Sequence, residues 1–199
     1  QIDLNINELI FDKYTNKSLN NEIADKIKNK YGADIFIHHE YREIKDINDI
    51  LWLGRGLPSW GDPYRWIIIR EINSQCEDPE LCHNYIQDTF NTMYLDSDST
   101  YLEISRIDDL QSYRYMYKNN YIIGGSYVHS NIVDNRKIYT NGGIWDTAID
   151  TIPNAGGPYI SYIYHLEDKD LLFIGLINSP NKDKMIYLKQ METVFKNIK

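Results

Sequence analysis

Residues 159–178, YISYIYHLEDKDLLFIGLIN, constrain the fold more than any other stretch: two runs of apolar and aromatic residues are parted only by the charged tetrapeptide EDKD. A turn that short returns the chain antiparallel, so these residues predict a β-hairpin. Strand-like runs precede it at 100–106 (TYLEISR), 113–118 (YRYMYK), 121–129 (YIIGGSYVH) and 137–145 (KIYTNGGIW). Further upstream, ADIFIHHEY (33–41), INDILWLGRG (47–56) and YRWIIIREI (64–72) predict a three-stranded meander.

Helical spacing occurs in three places. Leu19, Ile23, Ile27 and Tyr31 line one face of a helix that starts at the candidate cap Ser18 and stops at Gly32. A second helix is expected over about 79–94, with Leu81, Tyr85, Ile86, Phe90 and Met93 inward. The last starts at Ser179 with Pro180 in its first position and carries Met185, Leu188, Met191, Phe195 and Ile198 as its buried stripe. Helices set between runs of strands do not follow the strict alternation of a parallel sheet. The expectation is an α+β fold, one domain over 1–199, with a mainly antiparallel sheet flanked by helices. Residues 1–17 are a lead-in, and 106–157 are the least regular, insertion-like part.

Composition narrows the function. The hydrophobic fraction of 42% and charged fraction of 25% are those of a globular chain. No apolar run reaches the roughly 18 residues of a membrane-spanning helix. With 21 basic and 29 acidic residues the net charge is −8, which opposes docking on nucleic acid. Seventeen tyrosines against five phenylalanines suit strands that are apolar on one side and wet at the tip. Without an initial Met or a signal peptide, the chain reads as a processed product or a fragment.

In CEDPELC, Asp78 is a good helix cap and Pro79 suits the first helical position, which brings Cys76 and Cys82 within reach of one another. A Cys76–Cys82 disulfide is expected and would place the protein in an oxidising compartment. Two ordinary thiols, or a metal site with His83, are the alternatives.

The triplet His38, His39 and Glu40 offers metal-ligand chemistry. On a strand, however, His38 and Glu40 face one way and His39 the other, so no metal centre is expected there. No nucleophile elbow or phosphate loop occurs, no catalytic residue is assigned and no cofactor is expected. The candidate binding residues are Trp60, in a Gly/Pro loop, and Gly143, Trp145, Gly156, Gly157 and Tyr159, in GGIWDTAIDTIPNAGGPY. Gly143 ahead of Trp145, and Gly156–Gly157 ahead of Pro158, are expected to form a sharp structural corner with φ above zero at the second pair. A cleft floored by glycine backbone beside Trp145 is the functional alternative.

These motifs carry a resemblance. The segment from Gly142 to Lys199 is similar to the end of the Bacteroidota envelope lipoproteins grouped as domain of unknown function 4837, with Gly143–Ile144–Trp145 and Gly156–Gly157–Pro158–Tyr159 in their motif positions. ILWLGR, IQDTFNTMY and STYLEIS extend the likeness over most of 18–199. Gly142 stands where that family has arginine, and the spacer between Trp145 and Gly156 is longer. A lipid-bearing cysteine and an additional N-terminal segment belong to the family pattern and not to this chain. More loosely, the order of elements resembles the PsbP-like α/β/α sandwiches, mostly accessory and binding modules.

The resemblance implies a non-catalytic cell-envelope protein, an accessory or binding subunit of an outer-membrane or secreted assembly. It would be extracytoplasmic, in the periplasm or at the outer membrane or cell surface. Its partner would be an envelope protein, and any membrane contact would run through that partner or an anchor outside this chain. The alternative is a carbohydrate- or peptidoglycan-binding or hydrolysing protein, suggested by the tyrosines and Trp60.

Overall fold

The structure is a computed structural model and describes residues 19–47, 49–56, 61–72, 85, 88–89, 127–133, 136–146 (of these two strands, chiefly the backbone), 156–166, 168–178 and 183–199. Helix α1 (Asn21–Tyr31) leads into β1 (Arg42–Ile47), β2 (Ile50–Arg55) and β3 (Tyr64–Ile72). Strands β4 (Tyr127–Val133), β5 (Arg136–Asp146), β6 (Gly156–His165) and β7 (Asp170–Asn178) follow, and α2 (Met185–Lys196) comes last. The strands form one seven-stranded sheet in the order β1-β2-β3-β7-β6-β5-β4, and every neighbouring pair is antiparallel. The fold is therefore a single α+β unit in which β7 joins two meanders.

Both helices lie on one face. Ile23, Ile27 and Tyr31 of α1, with Met191 and Phe195 of α2, bury against Leu51, Leu53, Ile67, Ile69, Tyr162, Tyr164 and Phe173. Helix α1 is capped by Asn20, whose side chain accepts from the Ile23 amide, and is closed by Gly32 at φ 77°. The cap is thus Asn20, not Ser18. Leu19 precedes the helix, pairs in an isolated bridge with His38 and is 46% exposed. Lys26 and Lys30 pair with Glu43 and Asp46, which seats α1 beside β1.

Helix α2 begins at Met185; the expected start at Ser179 and Pro180 lies outside the described residues. Met185 is exposed, contrary to its place in the expected stripe, because the helix turns inward only from Tyr187 and Leu188 onward. The tail is held by paired backbone hydrogen bonds between Asp34 and Lys199, at 2.8 and 3.0 Å. Gly175 of β7 brings α2 close: a Cβ there would lie 2.6 Å from Met191 Sδ.

The other face is buried as well. Ile50, Ile68, Ile72, Tyr159, Ile163, Leu172, Ile174 and Leu176 form a second cluster, joined by Trp52, Trp66 and Tyr85. The helical residues Asp88 and Thr89 are tied to this face by Arg70, at 2.7 and 3.1 Å. Antiparallel sheets often leave one face to water, but β6 and β7 are buried on both. The tyrosines of β6 are accordingly interior rather than wet-tipped, and Tyr164 donates its hydroxyl to the Phe195 carbonyl.

One strand expectation is corrected. Residues 33–41 form no ladder strand; they are an extended connection that ends in a turn, and the first strand is the polar β1 after it. Within 106–157, residues 127–133 and 136–146 are regular ladder strands. The runs at 100–106 and 113–118, Cys76, Cys82 and Trp60 lie outside the described residues.

Candidate functional site

The glycine-rich segments make no corner. Strands β5 and β6 pair in unbroken register, with Gly143 opposite Tyr159, Trp145 opposite Gly157 and Asp146 opposite Gly156. Among the described glycines only Gly32, Gly56 and Gly61 have positive φ, so Gly156 and Gly157 are ordinary strand residues. Gly143 serves a different need: a Cβ there would lie 2.9 Å from Cε1 of the Tyr159 ring. The missing side chain lets that ring lie across the neighbouring strand, and Tyr159 is only 2% exposed. The backbone places Trp145 on β5; its side chain lies outside what the structure describes.

A cleft does exist at this end of the sheet, on the opposite face. Strand parity puts Leu51, Leu53 and Arg55 of β2, and Arg65, Ile67 and Ile69 of β3, on the side of the helices. Arg55 and Arg65 are directly paired across the two strands. Two like charges in register on an apolar face are unfavourable unless anions answer them. Each has one: Arg55 pairs with Glu40, and Arg65 Nη2 donates to both carboxylate oxygens of Asp62 at 2.7 and 2.8 Å. The Arg65 guanidinium also lies 5.1 Å from the centre of the Tyr187 ring on α2, within cation–π range.

These groups line a small, shallow cleft, with Phe36, His38 and Tyr41 on one wall and Tyr187, Met191 and Val194 on the other. Arg65 is 4% exposed, and its Nε is buried with no hydrogen-bond partner among the described residues. Residues 38–40 form a turn closed by the Tyr41 amide on the His38 carbonyl at 3.0 Å. The expected division of His38 and Glu40 from His39 therefore does not hold, and the two imidazoles lie 4.5 Å apart.

The Glu40 amide donates to His38 Nδ1 at 3.3 Å, which leaves the ring proton on Nε2. Burial first, and then the charge of Arg55, push the His38 pKa down to about 4, so the ring is neutral at physiological pH. Among the described residues no group of three or more His, Cys, Asp or Glu could hold a metal ion. The cleft thus presents two arginines, each paired with its own carboxylate, beside a neutral imidazole and apolar walls.

Of the candidates named from sequence, Gly143 and Tyr159 do not line this cleft, while Trp60 and the side chain of Trp145 lie outside what the structure describes. Tyr159 faces the other side of the sheet, where Gly143 makes room for its ring. Sequence reasoning passed over the two arginines, although both fall on the buried phase of apolar strands, which is the signal that identifies them.

The fold and cleft define a helix-covered antiparallel α+β module with a cleft between α2 and the sheet that is lined by two ion-paired arginines. Residues 20–197 match the family of the domain of unknown function (DUF4837), and the chain belongs to that family. No curated protein matches the chain.

Proposed function

We propose that this chain is a non-catalytic, extracytoplasmic binding module: an envelope protein of the Bacteroidota lipoprotein kind that serves as an accessory subunit of an outer-membrane or secreted assembly. The observation that carries the binding role is the pair of the buried Arg65 and the largely buried Arg55 at a solvent-open cleft, because poorly solvated cations held by half-exposed carboxylates are a costly arrangement for structure alone. Family membership and the resemblance to envelope lipoproteins support the compartment, and the looser likeness to PsbP-like sandwiches supports an accessory role. Crosslinking in native membranes followed by affinity capture tests it. The expected product is one envelope protein in stoichiometric amount; capture of glycan fragments alone would overturn it.

A glycan-binding role is the second reading, favoured by one cluster on the other sheet face. Tyr64 and Trp66 stack at 5.5 Å, and Trp52 meets Trp66 edge-on at 6.2 Å, all three half-buried. Such rings are suited to stacking against sugars.

A further inference from the structure

We infer that the aromatic sheet face opposite the helices binds a mostly neutral sugar chain that carries one uronic acid; the inference rests on the second reading, of this chain as a glycan-binding protein. The division of charge across β1 carries it. The acids of this strand, Glu43 and Asp46, turn to the helix side, where Lys26 and Lys30 of α1 hold them. Its cations turn the other way: Lys45 pairs in register with Trp52, and Arg42 with Gly54. Residues paired in an antiparallel ladder share a face, so both cations leave the strand on the side of the tryptophans.

Gly54 makes that surface continuous. A Cβ there would collide with Ile44 Cδ1 and lie 3.2 Å from Trp66 Cδ1, so its absence lets the two side chains close over β2. Tyr64 extends the patch along β3, stacked on Trp66 with the ring planes 12° apart. Ile44 is 44% exposed, Arg42 is exposed, and Lys45 and the three rings are each partly open to solvent. Among the described residues Lys45 makes no ion pair, and Arg42 uses Nη1 alone, on the carbonyls of His39 and Tyr41. Asp49 and Asp88, which reach this side further along β3, are both held by Arg70. Aromatic rings suit the C–H face of a sugar, and the two cations suit a carboxylate on it. The net charge of −8 works against densely charged polymers and favours a single carboxylate.

Aldotetraouronic acid, a xylotriose bearing one glucuronic acid, is the probe, titrated calorimetrically into the full chain. Neutral xylotetraose and an acetylated tetrapeptide with one glutamate are the controls. The probe is expected to bind at least tenfold more tightly than either. Lys45→Glu is expected to weaken the probe at least tenfold and leave xylotetraose unchanged, and Lys45→Arg to retain binding. Tyr64→Thr, which removes a ring and keeps a strand-forming residue, is expected to weaken both sugars. Melting curves confirm that each variant is folded, and Lys45→Glu, at a partly exposed position, keeps the test decisive if Tyr64→Thr is not.

Added salt should weaken the probe and not xylotetraose, because only the former relies on charge. Equal binding of the peptide would assign this face to an acidic protein segment and overturn the glycan. Equal binding of xylotetraose, indifferent to Lys45→Glu, would overturn the uronic acid while the glycan reading stands. If neither sugar binds, the inference and the glycan reading fall together.

Discussion

A glycine that lies under a ring on the neighbouring strand has no room for another carbon, and Gly143 is in that position beneath Tyr159. Gly143→Val should destabilise the protein by about 1–3 kcal/mol, since the buried ring has nowhere to move. Denaturant unfolding checks this, and a Gly143→Val/Tyr159→Ala double variant should lose less than the sum of the single losses. His38 makes a prediction about pH. Its pKa is lowered from 6.5 to about 4 on folding, so between those values the unfolded chain binds more protons and stability falls as pH falls. The melting temperature should therefore drop on acidification from about pH 6.5 to pH 4, with a shallower drop in His38→Gln. At this scale the sequence was legible only in part. Leu51, Leu53 and Arg55, like Arg65, Ile67 and Ile69, show a charge on an apolar phase, but their neighbours Glu40, Asp62 and Tyr187 come from separate elements that only the fold brings together.

Helix α2 depends on one buried stripe, because a helix of this length is marginal alone in water. Met191 is 2% exposed and lies on Gly175, so Met191→Asp should unfold or aggregate the protein. Met191→Leu should be close to neutral, and Met185→Gln, on an exposed side chain, should leave the melting temperature unchanged. Periodicity revealed α1, α2, β3, β6 and β7 because each writes a buried face into its spacing. Strand β1, REIKDI, escaped notice for the opposite reason: it is a polar edge strand with a register shift between Glu43 and Lys45, and such features protect an edge from further pairing while removing the alternation that marks a strand. Residues 33–41 alternate without a ladder because helix packing, not strand pairing, buries Ala33, Ile35 and Ile37.

The whole molecule is held by β7, which pairs with β3 on one side and β6 on the other, as the ion pair between Glu71 and Lys169 across 98 residues of sequence also attests. Local sequence signals hairpins but not the partner of a strand a hundred residues away, so the seven-strand order was beyond reach from sequence. Native-state hydrogen exchange should find the slowest amides in β3, β6 and β7 and faster ones in β1 and β4, the outermost strands among the described residues. The central claim, that the molecule works through the cleft between α2 and the paired arginines, is tested most directly by site-specific photocrosslinking in native membranes. A photoreactive residue replaces Gln190 at the cleft in one protein and Lys196 on the exposed surface of α2 in another. The account predicts a discrete adduct from position 190 that is lost when Arg65→Gln is added, and none from position 196. Equal adducts from both positions, or an adduct at 190 indifferent to Arg65, would contradict it.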